Sequence, residues 1–125
     1  MEKEVQNLFQ QYVEGWKENN VEKILVPLSY DCTIIKSHGP TYHGSEQVRK
    51  WFEYWMKEKG KVTRWNITSF YFLEKGNMAF FEWDFACNVV GEGHTLLGIS
   101  LVKLSGDKIS FLHEYRMTKE PYDWA

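Results

Sequence analysis

With 125 residues, 15 Lys and Arg against 17 Asp and Glu, and a formal net charge of −2, the chain is read as one domain, residues 1–125, around a single core. That balance provides no long-range field for polyanions, and no basic stripe occurs, so nucleic acid is not an expected partner. The apolar runs are short and broken by charge, and Met1-Glu2-Lys3-Glu4 is unlike the start of a signal peptide. No membrane span is expected, and the expected location is cytoplasmic.

From Lys3 to Lys17, Val5, Leu8, Phe9, Tyr12, Val13 and Trp16 recur at three- and four-residue steps, which predicts an amphipathic helix. Asn19-Asn20 breaks it and caps a short second helix from Val21 to Leu28, loosened by Pro27. A brief strand is expected over Cys32 to Lys36, followed by a turn at His38-Gly39-Pro40 and a short extended piece, Thr41-Tyr42-His43. Ser45 is a candidate cap for a third helix, in which Val48, Trp51, Phe52, Trp55 and Met56 repeat at helical spacing until Gly60. The second half switches to strands over Val62 to Glu74, Ala79 to Val90, His94 to Leu104 and Lys108 to Met117. They are joined by turns at Lys75-Gly76-Asn77, Gly91-Glu92-Gly93 and Ser105-Gly106-Asp107. The tail Glu120 to Ala125 is expected to pack Tyr122 or Trp124 against the body. The expected fold class is α+β, a strongly curved mixed or antiparallel sheet forming a half-open cone closed by three N-terminal helices.

Within the second of those strands, Phe81, Trp83, Phe85 and Cys87 alternate with Glu82, Asp84 and Ala86. One face is an aromatic wall, either plain core or the lining of a cavity for an apolar or planar molecule; the two acids take the other face. Aromatic residues form 17% of the chain, including six Trp, which suits a thick core and an aromatic cavity equally. Cys32 and Cys87 lie far apart in apolar runs and read as buried thiols in a reducing compartment. No HExxH, paired CxxC, nucleophile elbow, phosphate-binding glycine loop or dinucleotide fingerprint occurs, so no metal and no organic cofactor is assigned.

Tyr12-Val13 and Trp16, Tyr30-Asp31-Cys32-Thr33-Ile34, Tyr42-His43-Gly44, Phe81-Glu82-Trp83, Gly98-Ile99-Ser100-Leu101, and Asp107-Lys108-Ile109 leading to Glu114-Tyr115 carry a family resemblance over nearly the whole chain. The sequence resembles the nuclear transport factor 2-like superfamily, in particular its SnoaL-like branch. The resemblance implies a deep pocket under a curved sheet, with the outer sheet face in a homodimer. It implies no one reaction, since isomerases, dehydratases, hydrolases, cyclases and non-catalytic members share the fold.

The resemblance to ketosteroid isomerase places Lys36 at the general-base position, Ser100 at that of the second oxyanion-hole acid, and Tyr12 at the oxyanion-hole tyrosine. A charged lysine cannot act as a carboxylate base, so isomerisation by that route is disfavoured. The resemblance to limonene epoxide hydrolase places Glu114, Phe85 and Trp83 at the acid/base pair and its arginine, keeping one carboxylate. It also implies that Glu114 points inward beside Leu112 and Arg116, whereas periodicity alone favours the more apolar face of Ile109, Phe111, Tyr115 and Met117.

Glu114 is thus the candidate acid or base, or else half of a structural ion pair with Lys36 or Arg116. Tyr12 is a candidate hydrogen-bond donor, with His94 or Lys36 assisting; His94 is alternatively a wall residue, His43 shares its ambiguity, and His38 reads as a turn residue. Trp16, Trp51, Trp55 and Trp65 are candidates to stack a planar ligand. Phe81, Trp83, Phe85, Leu96, Ser100, Leu112 and Arg116 complete the expected ligand-binding set. The expected function is that of a small-molecule pocket protein, either an acid/base enzyme of lyase, isomerase or hydrolase type acting on a small, largely apolar or cyclic compound, or a non-catalytic ligand-binding homodimer. A third possibility is a dimer whose cavity is filled by its own side chains.

Overall fold

The computed structural model describes residues 1–125. Helix α1, Glu2–Lys17, carries Glu2 and Glu4 in its first turn and Lys17 in its last, each complementing the helix dipole. Its buried stripe is Val5, Phe9, Tyr12, Val13 and Trp16. Asn20 caps α2, Val21–Leu25, by accepting a hydrogen bond from the Lys23 backbone N–H at 3.2 Å.

That helix is three residues shorter than expected, because the chain from Pro27 onward is drawn into the sheet: the Pro27 carbonyl accepts from the Ile109 N–H at 2.8 Å. Strand β1 accordingly runs Leu28–Ile35, starting four residues before Cys32, and Lys36 lies just past its end. Lys36 opens the turn that leads to β2, Thr41–His43.

Helix α3 spans Gly44–Lys57 and buries Val48 and Phe52. Ser45 is not its cap. His43 occupies that position without a side-chain cap, and its backbone N–H is satisfied by Gln47 Oε1 at 2.7 Å.

Strands β3 (Lys61–Leu73), β4 (Met78–Val89), β5 (Glu92–Ser105) and β6 (Lys108–Arg116) follow as hairpins. The middle turn is tighter than expected. Val89 pairs with Glu92, leaving Val90 and Gly91, both at positive φ, as a two-residue connection. The six strands form one unclosed mixed sheet in the order β2-β1-β6-β5-β4-β3, with β1 and β6 parallel and every other pair antiparallel.

One bulge has consequences for the site. Lys103 and Leu104 are neighbours on β5, but they pair with Phe111 and Ile109 on β6, leaving Ser110 as an extra residue. The inward phase of β6 therefore changes from odd to even: Ile109 is buried before the bulge, Leu112 and Glu114 after it. The three helices and the concave sheet face share one apolar cluster, within which Phe9 stacks on Phe81 at 4.2 Å. The tail does not pack as expected, since Tyr122 is 78% and Trp124 93% exposed. No helix is long and apolar enough to cross a membrane.

Candidate functional site

The concave sheet face and the helices enclose a cavity of about 680 Å³. Its wall draws on Trp16 from α1, Trp51, Tyr54 and Trp55 from α3 with Glu58 just past its end, and the Lys36–Pro40 turn with Tyr42. The sheet contributes Trp65, Trp83, Phe85, Cys87, Leu96 and Glu114, with His94 and Arg116 exposed at the rim. Another hollow, about 530 Å³, is bounded only by the consecutive residues Arg116–Tyr122 and gathers no converging groups.

Glu114 is the one carboxylate sealed into this wall, at 4% exposure. Its Oε1 meets Lys36 Nζ at 2.6 Å, while Oε2 has no partner. The pairing follows from strand register: Ile35 lies beside His113 in the parallel β1/β6 ladder, so the next residues on each chain, Lys36 and Glu114, come together. The Lys36 ammonium also sits 5.0 Å from the ring centre of Trp51, which stacks on Tyr42 at 4.4 Å and 5°. A carboxylate this buried is tolerated because the ammonium offsets its desolvation.

The remaining titratable groups are set by burial. Tyr12 is fully buried, its hydroxyl faces the Trp16 indole N–H without closing a full hydrogen bond, and its pKa lies well above the ordinary phenol value, first through desolvation and then through the negative charge of Glu114, with the Trp16 N–H opposing. Burial likewise raises Cys87, with the Lys36 charge opposing it, and burial raises Tyr42. His38 is lowered by partial burial and by the cations Lys36 and Arg116, which favours neutral imidazole at the mouth.

Eleven of the fifteen residues singled out from sequence lie on the cavity wall. Tyr12, Phe81, Ser100 and Leu112 do not. Tyr12 sits behind the wall, with its ring 6.4 Å from Trp16 and 6.2 Å from Trp65. Phe81 and Leu112 are core. Ser100 supports the wall from behind by accepting the Trp83 indole N–H at 2.8 Å. Tyr42, Tyr54, Glu58 and His38 were not among the expected site residues. Tyr42 and His38 flank short turns with no periodicity, while Tyr54 and Glu58 read as the polar side of α3. No group of three or more His, Cys, Asp or Glu side chains is arranged to hold a metal.

Several solved structures share this architecture. An epoxide hydrolase of M. tuberculosis described as LEH-like superposes with a TM-score of 0.80 at 9% identity, over 92% of this chain and 84% of that one. A putative polyketide cyclase from Xanthomonas campestris gives 0.73 at 14% identity, covering 91% and 90%. A hypothetical protein of ketosteroid isomerase-like fold from Catenulispora acidiphila, in complex with trimethylamine, gives 0.71 at 20% identity, covering 86% and 83%. These likenesses establish the cone-shaped fold shared by NTF2-like and cystatin-like proteins. No curated protein matches the sequence. The SnoaL-like domain model matches residues 9–112, from the middle of α1 to within β6 and most of the chain, so the protein belongs to the SnoaL-like domain family.

Proposed function

We propose that this protein is an acid/base enzyme acting on a small, largely apolar or cyclic compound held in the cavity, with Glu114 exchanging the proton. The observation that carries the reading is the Glu114 carboxylate in an aromatic wall, paired through one oxygen to Lys36 and free at the other. Lys36 is engaged at Oε1, and Oε2, buried and without a partner, is the oxygen left for a substrate proton. The indole walls orient a flat substrate and exclude water, which strengthens each charge interaction inside. His94, exposed at the rim, provides an exchange route to solvent. The reaction class is proton transfer leading to isomerisation, elimination or hydrolysis. An epoxide hydrolase and a cyclase among the structural neighbours support that range without choosing within it.

A second reading is a non-catalytic binder, favoured by the same 2.6 Å contact if the ion pair serves only to satisfy its own charges. In either case we propose a single-domain cytoplasmic homodimer that pairs through the outer sheet face. There Phe80, Leu97, Ile99, Leu101 and Phe111 are only half-buried and Tyr115 is 49% exposed, a broad apolar surface for this fold.

The deciding experiment is a metabolite screen for turnover, followed by Glu114→Gln. The variant strands Lys36, which at 18% exposure is partly solvated, so it should stay folded with a melting temperature several degrees below the parent's and lose turnover by at least about a hundredfold. Turnover retained in Glu114→Gln removes the catalytic role, and ligands that bind without turnover in the parent establish the binder.

A further inference from the structure

Four residues other than glycine stand at positive φ, and three of them suit it. Asn19 and Asn77 carry the short polar side chain that tolerates this region, and Lys59 is the unbranched residue that follows the α3 cap Glu58. Val90, at φ 52, is the exception. Its two Cβ substituents crowd the backbone there, so a valine in the left-handed region is strained. It fills the first position of the Val90-Gly91 turn, where the favoured pair is Asn-Gly. The β3–β4 turn, by contrast, places Gly76 and Asn77 at its positive-φ positions.

Packing within the chain does not explain the valine. Val90 is 67% exposed and lies outside both the apolar cluster and the half-buried side chains packed on it. It belongs instead to the cavity wall, as do Val89 and Tyr54, the latter 58% exposed. The Val90 N–H donates to the Glu58 carbonyl at 2.9 Å, and the Glu58 N–H donates to the Tyr54 carbonyl at 3.0 Å. That tie holds the β4–β5 tip against the end of α3, one helical turn from Tyr54, at the mouth of the cavity. Strain kept where the fold gains no packing from it points to a contact with something outside the chain.

We infer that Val90, with Tyr54 beside it, forms an apolar mouth subsite for the outer end of a bound compound, and that this compound is elongated, a ring carrying a saturated chain. The inference rests on the proposal that the cavity takes a largely apolar molecule, and it is independent of any role for Glu114. Strand pairing sets the length. Glu114 lies opposite Ser100 on β5, whereas Val89 at the tip lies opposite Glu92, so the two ends of the site are separated by the stretch from Ser100 to Glu92, on the order of 25 Å along an extended strand. Both ends belong to one cavity wall. A lone ring beside Glu114 stops short of the tip, and a chain extending from it reaches Val90. Asparagine there would relax the turn but set an amide against that chain, where valine sets two methyl groups.

The test compares the full chain with Val90→Asn, which suits the turn and keeps the backbone N–H that bonds Glu58. Both are melted, and both are titrated with 4-ethylphenol and 4-octylphenol followed by tryptophan fluorescence. Relief of strain should raise the melting temperature of the variant by about 3–5 °C. In the parent, 4-octylphenol should bind at least about tenfold more tightly than 4-ethylphenol, since the added methylenes leave water. Val90→Asn should weaken 4-octylphenol about fivefold and leave 4-ethylphenol within about twofold of the parent. Val90→Thr keeps the branched shape and the strain but exchanges a methyl for a hydroxyl, so it should weaken 4-octylphenol about threefold without a rise in melting temperature. A melting temperature of Val90→Asn at or below the parent's shows an unstrained turn and overturns the inference. Unchanged 4-octylphenol binding in that variant, or equal weakening of both probes, overturns the subsite and leaves the pocket reading standing. Loss of self-association on sedimentation, with probe binding unchanged, assigns Val90 to a second copy of the chain and overturns the subsite as well. A parent that binds neither probe overturns both readings, whereas turnover retained in Glu114→Gln does not touch the subsite.

Discussion

Replacing Lys36 by Met keeps a stem of similar length and removes the charge 2.6 Å from a carboxylate that is 4% exposed. Breaking a buried ion pair at one partner typically costs about 3–5 kcal/mol. Two features set where in that range this pair falls. Lys36 is 18% exposed, so water partly replaces it, and the carboxyl group can escape by taking up a proton. At pH 7 that escape costs a glutamate on the order of 4 kcal/mol, and at pH 5 about 1 kcal/mol, which caps the loss at each pH. The expected destabilisation is therefore about 3 kcal/mol at pH 7 and about 1 kcal/mol at pH 5. The sign follows from linkage: an unpaired buried carboxylate favours its protonated form, so the penalty grows as pH rises. Urea unfolding followed by tryptophan fluorescence at both pH values measures it, with a fall in melting temperature of roughly 10 °C at pH 7. The double variant Lys36→Met/Glu114→Gln, having no charge to strand, should recover to within about 1 kcal/mol of the parent. An equal loss at pH 5 and pH 7, or a double variant no better than the single, would refute the claim that Lys36 is what holds this carboxylate.

Two further outcomes follow from burial and close approach. The Tyr12 phenol is raised well above its ordinary value by desolvation and then by Glu114, so its contribution to stability is complete below about pH 10 and is lost as pH climbs beyond. Native parent and Tyr12→Phe should show the same phenolate absorbance at 295 nm until the chain unfolds; one phenol fewer titrating in the native variant contradicts it. A Cβ at Gly98 would overlap the Tyr115 carbonyl oxygen and the Trp83 ring, so Gly98→Ala should cost about 1–3 kcal/mol and lower the melting temperature by several degrees. A parent-like melting curve would show that Trp83 has room to move.

Much of the fold can be read locally. The stripe on α1, the bulky face of α3 and the period-two strands are short-range patterns, and each formed to within a few residues of expectation. Where boundaries moved, a distant partner moved them, as when Ile109 bonded Pro27 and lengthened β1 into what reads as a helix. The aromatic run around Trp83 shows the same division. Its alternation set which side chains face inward, but Phe81 went to the core against Phe9 while Trp83 and Phe85 reached the cavity. That depends on where α1 lies across the sheet.

Sequence alone therefore determined the family, the α+β cone and the aromatic character of its interior, because these rest on composition, periodicity and motif order. It could not orient Glu114 by pattern, since the apolar alternation of β6 pointed the other way. The bulge at Ser110 reversed that phase, and the parallel register of Ile35 with His113 then set Lys36 beside the carboxylate. Both are properties of strand pairing, in which residues far apart in the chain fix each other's facing, so the chemistry of the site was decided only when the sheet assembled.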